Sequence, residues 1–512
     1  MSKQSANNKR IAKNTIFLYF RMILLMGVSF YTSRVVLSEL GVENYGIYNV
    51  VGGLVSMLSF IYSSLSGANS RFLAASIGEK KWEELKSLMA CIKTIHWGLA
   101  IIVLVLAEIF GLWFLYHKLV IPEVRMSAAL WCFHFSVITV FISIISIPYN
   151  SLIIARERMD YYAYVSIIDA ILRLSIVFLL DYQPFDKLIA YGFLVMLVQV
   201  CMRFMYLVFC NTYFEESKVQ PQYSKEIFSK ILKFSSFAFI GNISSILYNQ
   251  GLSLMLNTFF GPIVNAARAI ALQVQGGCSS LVVNFQMAIQ PQITKTWVNG
   301  EKEYNHALIV YSSKFSYYLT SILVFPILYS THELLELWLV TVPDYSLVFV
   351  RIALLCTLLE AFSHEMIAAV HATGNIGRFH ICEGIVLLTI LPITYICLKC
   401  FSVKVEHIMW VYFIIQFLAQ CIRMKIALPQ IDMSFSYYCR MVILPIFFPT
   451  LLYIVPIVCV KFNIDSWKEL MLLFLSGVFY ICLVSYMFGL KHEEKRLVNN
   501  IINKQLKKLW KK

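Results

Sequence analysis

Charged side chains inside long apolar segments are the first residues of this sequence that could do chemistry. Three arginines lie in the first half of the chain, and three glutamates and a histidine lie in the second: Arg21, Arg173, Arg203, Glu360, Glu365, Glu383 and His364. A charge at the centre of a membrane costs roughly 2.5–3.5 kcal/mol, so each of these residues needs a partner or a function. Cationic residues attract a phosphorylated anion. Acidic residues beside a histidine can bind and release a proton or sodium ion, so we predict ion coupling at Glu360, His364 and Glu365.

Other arginines leave two interpretations open. Arg34, Arg268 and Arg351 lie nearer the ends of their apolar segments, where they could either extend to the lipid headgroups or enter a binding cavity. Asp169 and Arg173 are four residues apart on one predicted helix face, which favours an ion pair. Because the sequence near Arg203 offers no such partner, Arg203 is the stronger candidate for a cavity. We predict that Arg34, Arg173, Arg203 and Arg268 bind substrate.

Amide and small side chains form stripes at helical spacing along three apolar segments. The stripes consist of Asn49, Gly52, Gly53, Ser56 and Ser63; of Asn242, Ser245 and Asn249; and of Gln273, Gly276, Gly277, Ser280 and Asn284. Close helix packing explains the glycines and serines. It explains the amides less well, because an amide that faces lipid lacks hydrogen-bond partners. We therefore predict that the amide side chains line a polar substrate cavity.

The elements that must position these residues are transmembrane helices. The chain has 512 residues, of which 59% are hydrophobic and only 14% charged, whereas about a quarter of the residues in a soluble protein are charged. The apolar runs predict an all-α polytopic membrane protein with about 14 transmembrane helices. Their approximate ranges are 14–38, 45–66, 89–115, 126–152, 163–181, 187–210, 231–256, 264–290, 307–330, 346–370, 381–400, 406–428, 438–460 and 468–489.

The distribution of Lys and Arg predicts the orientation. The net charge is +14, but the basic residues occupy short loops and the C-terminal tail, which argues against a nucleic-acid partner. With the N-terminus inside, 27 of them fall in inner segments and 7 in outer segments. Both termini are therefore predicted to be cytoplasmic. The basic, amphipathic tail at 490–512 is predicted to lie on the anionic inner leaflet.

An internal repeat predicts two homologous halves. Gly41 and Gly261 each precede a striped helix, and the sequences 78–80 and 300–302 both read Gly-Glu-Lys. The segment 155–162 resembles 372–379, so three pairs of motifs share nearly the same spacing. Six helices separate the copies, which predicts two six-helix lobes related by a parallel pseudo-two-fold axis. The predicted parts are a cytoplasmic N-terminus (1–13), an N-lobe (14–210), a linker (211–230), a C-lobe (231–428), two accessory helices (438–489) and the tail (490–512).

The sequence contains no motif for covalent chemistry. There is no GxxxxGK[ST] phosphate-binding loop, no complete HExxH, no G-x-S-x-G and no large outer loop. A lone CxxC at 397–400 lies inside a predicted helix, and no second pair is nearby. We therefore predict a protein that is not an enzyme and that uses neither a cofactor nor a metal.

Three short motifs carry a resemblance to a known family. The run Gly-Pro-Ile-Val-Asn-Ala-Ala-Arg-Ala (261–269), Gln-Pro-Gln (290–292) and Ala-Thr-Gly (372–374) resemble the polysaccharide-exporter branch of the multidrug/oligosaccharidyl-lipid/polysaccharide (MOP) exporter superfamily. Within it, the sequence looks most like the bacterial Wzx-type O-antigen and capsule flippases.

The resemblance implies a six-plus-six helix core with two accessory helices and alternating access between two lobes. It implies transport of an undecaprenyl-diphosphate-linked oligosaccharide across the bacterial inner membrane, with polysaccharide polymerase machinery as a partner. It also implies a cationic lumen for the diphosphate and an opening between the lobes that is lined by helices 1, 2, 7 and 8. The polar stripes, Arg34 and Arg268 fall on these helices. Coupling to a proton gradient or to the membrane potential is a further family expectation.

Several alternatives stay open. A multidrug cation exporter and a lipid II flippase belong to the same superfamily, and the basic first half argues against the former. A membrane-embedded polysaccharide polymerase or ligase would show a long outer loop with acid and base residues. A scaffolding membrane protein would not explain the buried charges.

Overall fold

The computed structural model of the chain describes residues 3–156, 158–180, 185–362, 364–373, 377–401, 403–459, 464, 466–492, 494–496 and 499. Nearly all of these residues are helical, and no strand occurs among them. The all-α prediction is therefore confirmed. Most of the predicted tail, 500–512 in particular, lies outside the described residues, as do the side chains of Asn242 and Asn284.

The helices of the first half follow one another with short connections. They are α1 (Lys3–Ser56), α2 (Ser59–Gly78), α3 (Trp82–Leu106), α4 (Leu112–His117), α5 (Met126–Ala155), α6 (Met159–Leu180) and α7 (Lys187–Tyr213). A π-helical turn at Ala107–Gly111 joins α3 to α4. In α1 the backbone leaves the helical conformation at Gly41, whose φ of 75° favours glycine, so the long helix is broken there as predicted.

The second half repeats this order and adds three helices. It contains α8 (Lys225–Phe260), α9 (Pro262–Val298), α10 (Lys302–Tyr329), α11 (Thr331–Trp338), α12 (Ser346–Ala361), α13 (His364–Thr373), α14 (Gly377–Leu388), α15 (Ile390–Phe401) and α16 (Val405–Gln430). The additional part comprises α17 (Phe435–Tyr438), α18 (Leu444–Cys459) and α19 (Trp467–Val484), with a π-helical turn at Ser485–Gly489.

Many of these helices are suited to a membrane. In the described part of the chain, ten helical stretches are long and apolar enough to cross one, and the bent pair α12–α13 would make eleven. Each of the fourteen predicted segments coincides with helix over most of its length. Length and composition thus support a multi-pass membrane protein, while the count of fourteen stays a prediction.

Backbone geometry recurs between the halves at a fixed spacing in the sequence. Gly41 and Gly261 both have positive φ. The same spacing separates Lys80 from Gly300, whose φ angles are 58° and 74°. The structural counterpart of Gly300 is therefore Lys80 and not Gly78, which corrects the sequence alignment by two residues. A single spacing for both turns is what a duplicated chain would produce.

Helix boundaries extend the same repeat. The start of α3 is as far from the start of α10 as Gly41 is from Gly261, and the starts of α5 and α12 have the same separation. The starts of α6 and α14, and those of α7 and α16, are closer by only two positions. Because the spacing changes so little, the corresponding helices of the two halves begin in the same order along the chain.

Contacts between loops agree with the predicted alternation of sides. Arg125 pairs with Asp186 at 2.5 Å, and both were predicted on the outer side. Arg156 pairs with Glu216 and Lys302 with Asp432, in segments predicted on the inner side. These contacts support the order in which the helices alternate, but they do not identify which side is cytoplasmic.

The helices pack into two compact units. Unit 1 comprises Met1–Ile270, Leu339–Ser346 and Gly384–Ile408, and unit 2 comprises Ala271–Trp338, Leu347–Glu383 and Met409–Lys512. These units group helices by packing, and the lobe boundaries predicted from the sequence stay predictions.

Within unit 2, α18 and α19 are fixed to α10. The hydroxyl of Tyr318 donates to the Pro445 carbonyl at 3.0 Å, and that of Tyr329 donates to the Tyr453 carbonyl at 2.9 Å. A side chain at Gly477 would come within 3.1 Å of Pro326, so the glycine allows α19 to approach α10 closely. The accessory helices are thus an integral part of unit 2.

Candidate functional site

Arg268 is buried within unit 1 and joins α9 to α8. Its side chain is 3% exposed, its Nε donates to Ser253 Oγ at 2.8 Å, and its Nη2 donates to the Asn249 carbonyl at 3.1 Å. One turn earlier, Asn265 donates to the Ser253 carbonyl at 2.9 Å. Since α8 and α9 turn back on each other at Gly261, these bonds stabilise the helical hairpin. Arg268 and Asn249, which were both predicted to bind substrate, are therefore in contact with each other, and this contact packs α9 against α8.

Arg203 is half-buried against α5. Its Nη1 donates to the Ile145 carbonyl at 2.7 Å, and its guanidinium lies 4.3 Å from the centre of the Tyr149 ring. A cation over an aromatic face is stabilised by the ring quadrupole. The sequence offered no partner for Arg203 because both contacts come from a different helix, far away along the chain.

Arg173 and Asp169 line a polar cavity in unit 1. The cavity has a volume of about 250 Å³. Its lining residues are Ser143, Ser146, Ile147, Asn150, Asp169, Arg173, Gln199, Met202 and Tyr206. The predicted ion pair is present, with Arg173 Nε 2.9 Å from the Asp169 carboxylate and the two side chains 45% and 29% exposed. The cavity thus presents a cation, an anion, amides and hydroxyls to a polar ligand.

The polar stripes have mixed roles in the parts the structure describes. Asn49 donates to the Tyr45 carbonyl of its own helix at 2.7 Å. A Cβ added at Gly46 would overlap the Pro262 carbonyl, which places α1 directly against the start of α9. Gln273 is half-buried in α9. Close packing therefore explains part of this region, and the substrate role of the amides stays a prediction.

The two remaining arginines differ in exposure. Arg34 is half-buried in α1. Arg351, the other arginine with two open interpretations, is exposed in the first turns of α12. Substrate binding at Arg34 stays a prediction.

In unit 2, Glu365 is a buried carboxylate with incomplete hydrogen bonding. It is 2% exposed, and its Oε1 accepts from Ser316 Oγ at 2.5 Å. Its Oε2 is buried and has no hydrogen-bond partner among the described residues. Gln286, from α9, donates to Ser316 Oγ at 3.4 Å and to the Ala361 carbonyl at 3.3 Å. Because a buried ionised carboxylate without a cation is costly, this group is suited to holding a proton or a small cation.

A second cluster surrounds Glu383. Arg423 of α16 donates to Glu383 through both Nε, at 2.9 Å, and Nη2, and its Nη1 donates to Gln420 at 2.6 Å. Glu360 and His364 lie within electrostatic range of this ion pair. Two of the predicted ion-coupling residues, Glu360 and His364, therefore lie near the Arg423–Glu383 pair, whereas Glu365 belongs to a separate hydrogen-bonded group.

Arg423 corrects the predicted separation of charges between the halves. Arg423 is one of the 27 basic residues predicted on the inner side, but it is 8% exposed and paired with Glu383. The acidic region of the second half therefore contains a buried cation. The hydrogen-bonding partners of Glu365 were also missed. A signal existed, because Ser312, Ser313, Lys314 and Ser316 interrupt the apolar pattern of α10.

No group of three or more His, Cys, Asp or Glu side chains that could hold a metal ion occurs in the part of the chain that the structure describes. His371 and His380 approach each other, with their Nε2 atoms 3.0 Å apart. This distance fits a hydrogen bond between one protonated and one unprotonated nitrogen.

Comparisons with known proteins identify the fold. No family model and no curated protein matches the sequence. Solved structures do match, and one is a multidrug resistance transporter of the MATE family, MOP superfamily, in an inward-facing conformation. It has a TM-score of 0.66 and 13% identity, over 82% of this chain and 98% of that one.

Another similar structure is the lipid II flippase MurJ in an inward closed conformation, with a TM-score of 0.63 and 12% identity, over 91% of this chain and 98% of that one. A third is a MOP-superfamily transporter from Pyrococcus furiosus, with a TM-score of 0.54 and 14% identity, over 82% of this chain and 96% of that one. The chain thus has the fold of MOP-superfamily transporters.

Proposed function

We propose that this protein is a flippase that moves an undecaprenyl-diphosphate-linked oligosaccharide, an O-antigen or capsule repeat unit, across the bacterial inner membrane by alternating access. The observation that carries the proposal is the extent of the structural likeness. The MATE structure is matched almost completely yet covers 82% of this chain, whereas the likeness to the lipid II flippase covers 91%. The likeness to a protein that handles a lipid-linked substrate therefore extends over more of this chain.

The cost of moving a diphosphate-linked sugar through the membrane supports the same proposal. A diphosphate and its sugars cannot cross hydrocarbon unaided, because their polar groups would lose their hydrogen bonds. In the proposal, Arg34, Arg173, Arg203 and Arg268 supply positive charge for the diphosphate, while Asn49, Asn242, Asn249, Gln273 and Asn284 bind sugar hydroxyls. The polyprenyl tail stays in the lipid. Because no bond is made or broken, the protein is proposed to be a transporter and not an enzyme.

Ion coupling is proposed to reside in unit 2. Glu365 carries a buried oxygen without a partner among the described residues, and Glu360 and His364 lie near the Arg423–Glu383 pair. A proton or sodium ion that neutralises a buried carboxylate removes its desolvation penalty and can bias a conformational equilibrium. The two termini are proposed to be cytoplasmic, and membrane lipid and polysaccharide polymerase machinery are the proposed partners.

A second candidate is export of organic cations. It is favoured by the likeness to multidrug MATE transporters and by Asp169, a carboxylate that lines the cavity of unit 1. The paired Arg173 weakens this candidate, because it offsets the negative charge that would attract a cation.

A reconstitution assay separates the two candidates. The purified protein is placed in liposomes that carry a fluorescent polyprenyl-diphosphate oligosaccharide, and a membrane-impermeant quencher reports the lipid exposed outside. We expect protein-dependent quenching of the inner-leaflet pool. Efflux of a fluorescent organic cation without lipid flipping, for several sugars, would contradict the proposal. Arg173→Gln, which removes a positive charge proposed to bind the diphosphate, should reduce this quenching. Lys230→Gln, in an exposed ion pair with Glu226, is its matched control.

A further inference from the structure

A fully buried ion pair joins α10 to the chain segment that follows α19. Lys314 Nζ lies 2.6 Å from both carboxylate oxygens of Glu494, and each side chain is 1% exposed. The backbone N–H of Lys491 also donates to Glu494 Oε2, at 2.7 Å. The segment after Gly489 therefore returns into unit 2, where its carboxylate accepts three hydrogen bonds.

Such a pair is not an efficient way to make a protein stable. Two charges lose their hydration on burial, and their attraction repays this loss only in part, so apolar residues of similar size often stabilise as well or better. The hydrogen bonds from Tyr318 and Tyr329 already fix α18 to α10. The pair is better explained by specificity, because it fixes where α10 lies relative to its neighbours.

The position of α10 matters for the candidate ion site. Ser316, which donates to Glu365 at 2.5 Å, follows Lys314 by two residues on the same helical turn. A backbone that hydrogen-bonds within itself moves as a rigid turn. Without Glu494, the Lys314 ammonium would be a buried charge without its partner, and α10 would shift so that this ammonium reaches water. The same shift would move the Ser316 hydroxyl away from Glu365.

We propose that Glu494 is a positioning residue for the Glu365 site. Through Lys314 it fixes α10 so that Ser316 donates to the Glu365 carboxylate and favours its ionised form. The proposal rests on the proposed ion-coupling function of Glu365. In this proposal the chain after α19 positions the candidate ion site at Glu365 through the Glu494–Lys314 ion pair. This role does not depend on any contact of the same segment with lipid.

The surroundings of Glu365 make the effect measurable. Ser316 from α10 and Gln286 from α9 are polar groups that do not titrate, and Tyr438 of α17 is a titratable group within electrostatic range of Glu365. Below the range in which a tyrosine ionises, the protonation of Glu365 should follow the hydrogen bond from Ser316.

The test measures protonation directly and does not use transport. Dicyclohexylcarbodiimide reacts with protonated carboxyl groups in apolar surroundings, and its adduct on Glu365 is quantified by peptide mass spectrometry as a function of pH. The variants are Glu494→Gln, Ser316→Ala, their combination, and the uncharged pair Lys314→Met with Glu494→Leu. Glu215→Gln, an exposed acidic residue paired with Lys218, is the matched control.

We expect the labelling midpoint to move to higher pH by about one unit in Ser316→Ala and in Glu494→Gln, the size of one lost hydrogen bond to a charged group. The combined variant should shift no further than Ser316→Ala, because both changes remove the same bond. In the double variant Lys314→Met, Glu494→Leu, the labelling midpoint of Glu365 should equal that of the wild type, because no buried charge is left to displace α10.

Three results would overturn the inference. They are a wild-type midpoint in Glu494→Gln, additive shifts in the combined variant, and a Glu365 that is not labelled at any pH. A loss of thermal stability in Glu494→Gln with an unchanged midpoint would assign the pair a structural role only. If labelling behaves as expected but no lipid is flipped in liposomes, the proposed function fails and the inference about Glu494 stands.

Discussion

Buried charges are satisfied differently in the two units. In unit 1, Arg268 and Arg203 donate to backbone carbonyls and a hydroxyl, and Arg173 pairs with Asp169. In unit 2, Glu365 accepts from Ser316 on Oε1, and its Oε2 is buried without a hydrogen-bond partner among the described residues. The cations are thus held by the protein itself, whereas one anion has an incomplete set of partners.

This contrast bears on the two predicted roles, which are diphosphate binding by the arginines of unit 1 and ion coupling by Glu365 of unit 2. An arginine that already packs a helical hairpin must exchange its partners before it can bind a diphosphate. A buried carboxylate with an unbonded oxygen can accept a proton or a cation without breaking any bond. The case for ion coupling in unit 2 is therefore stronger than the case for phosphate binding at Arg268, and Arg173, which lines a cavity, is the better candidate for contact with substrate.

The largest expected effect comes from breaking the Arg423–Glu383 pair of unit 2. Arg423→Met should lower the free energy of unfolding by about 3–5 kcal/mol, because Glu383 is left as a buried charge without its partner. Thermal unfolding in detergent measures the change. Arg423→Met with Glu383→Leu should recover most of the loss. A single variant as stable as the wild type would show that the pair is not formed.

Breaking the arginine contacts of unit 1 should have a smaller effect. Arg268→Ala should lower the free energy of unfolding by about 2 kcal/mol, since Ser253 and the Asn249 carbonyl lose a charged donor. Arg351→Ala, at an exposed position, is the control in the same thermal assay. If flipping per folded molecule also falls in Arg268→Ala but not in Arg268→Lys, then the charge acts on substrate as well as on packing.

Neutralising the incompletely bonded acid should affect coupling more than folding. Glu365→Gln keeps the shape of the side chain, so we expect it to fold, while ion-driven flipping falls at least about tenfold, equivalent to about 1.4 kcal/mol. Flipping under an imposed ion gradient in liposomes provides the measurement, with Glu226→Gln as an exposed control. If flipping by Glu365→Gln depends on the ion gradient as in the wild type, then Glu365 does not couple ions and the proposed difference between the units is wrong.

The smallest effect is expected at the surface of unit 1. The hydrogen bonds from Arg125 lower the pKa of Asp186 below its ordinary value of 3.8. A carboxyl with a lowered folded-state pKa stabilises the protein above its unfolded pKa, and this stabilisation is lost as the pH falls through the folded-state pKa. Asp186→Asn should therefore cost less than about 1 kcal/mol at neutral pH. The difference in melting temperature should shrink as the pH falls below about 4. Asp186 also caps the N-terminus of α7, where its Oδ1 accepts from the backbone N–H groups of Leu188 and Ile189, and a difference that does not shrink would be assigned to this cap.

The fold could be read from the sequence because it depends on long-range patterns. Apolar runs separated by short basic loops predicted the helices, and the repeat predicted the breaks at Gly41 and Gly261, where the backbone takes a positive φ. The alignment at 78–80 was wrong by two residues because it relied on identical letters. The turn itself requires only one residue of left-handed conformation, which is Lys80 in one copy and Gly300 in the other.

The candidate sites could be read only in part, because helix partners are not encoded locally. Asp169 and Arg173 are four residues apart, so their ion pair was predictable. Arg423 and Glu383 lie on different helices, and a count of loop charges assigned Arg423 to the inner side. Lys314 and Glu494 are further apart still, and no periodicity of the sequence relates those two positions.

The most direct test of a coupling site at Glu365 measures ion-driven flipping in liposomes that carry a fluorescent polyprenyl-diphosphate oligosaccharide. Proton and sodium gradients are imposed separately. We expect one of the two gradients to accelerate flipping by the wild-type protein and to have no effect on Glu365→Gln, which stays folded. Equal acceleration of both proteins, or none of either, would contradict a coupling site at Glu365.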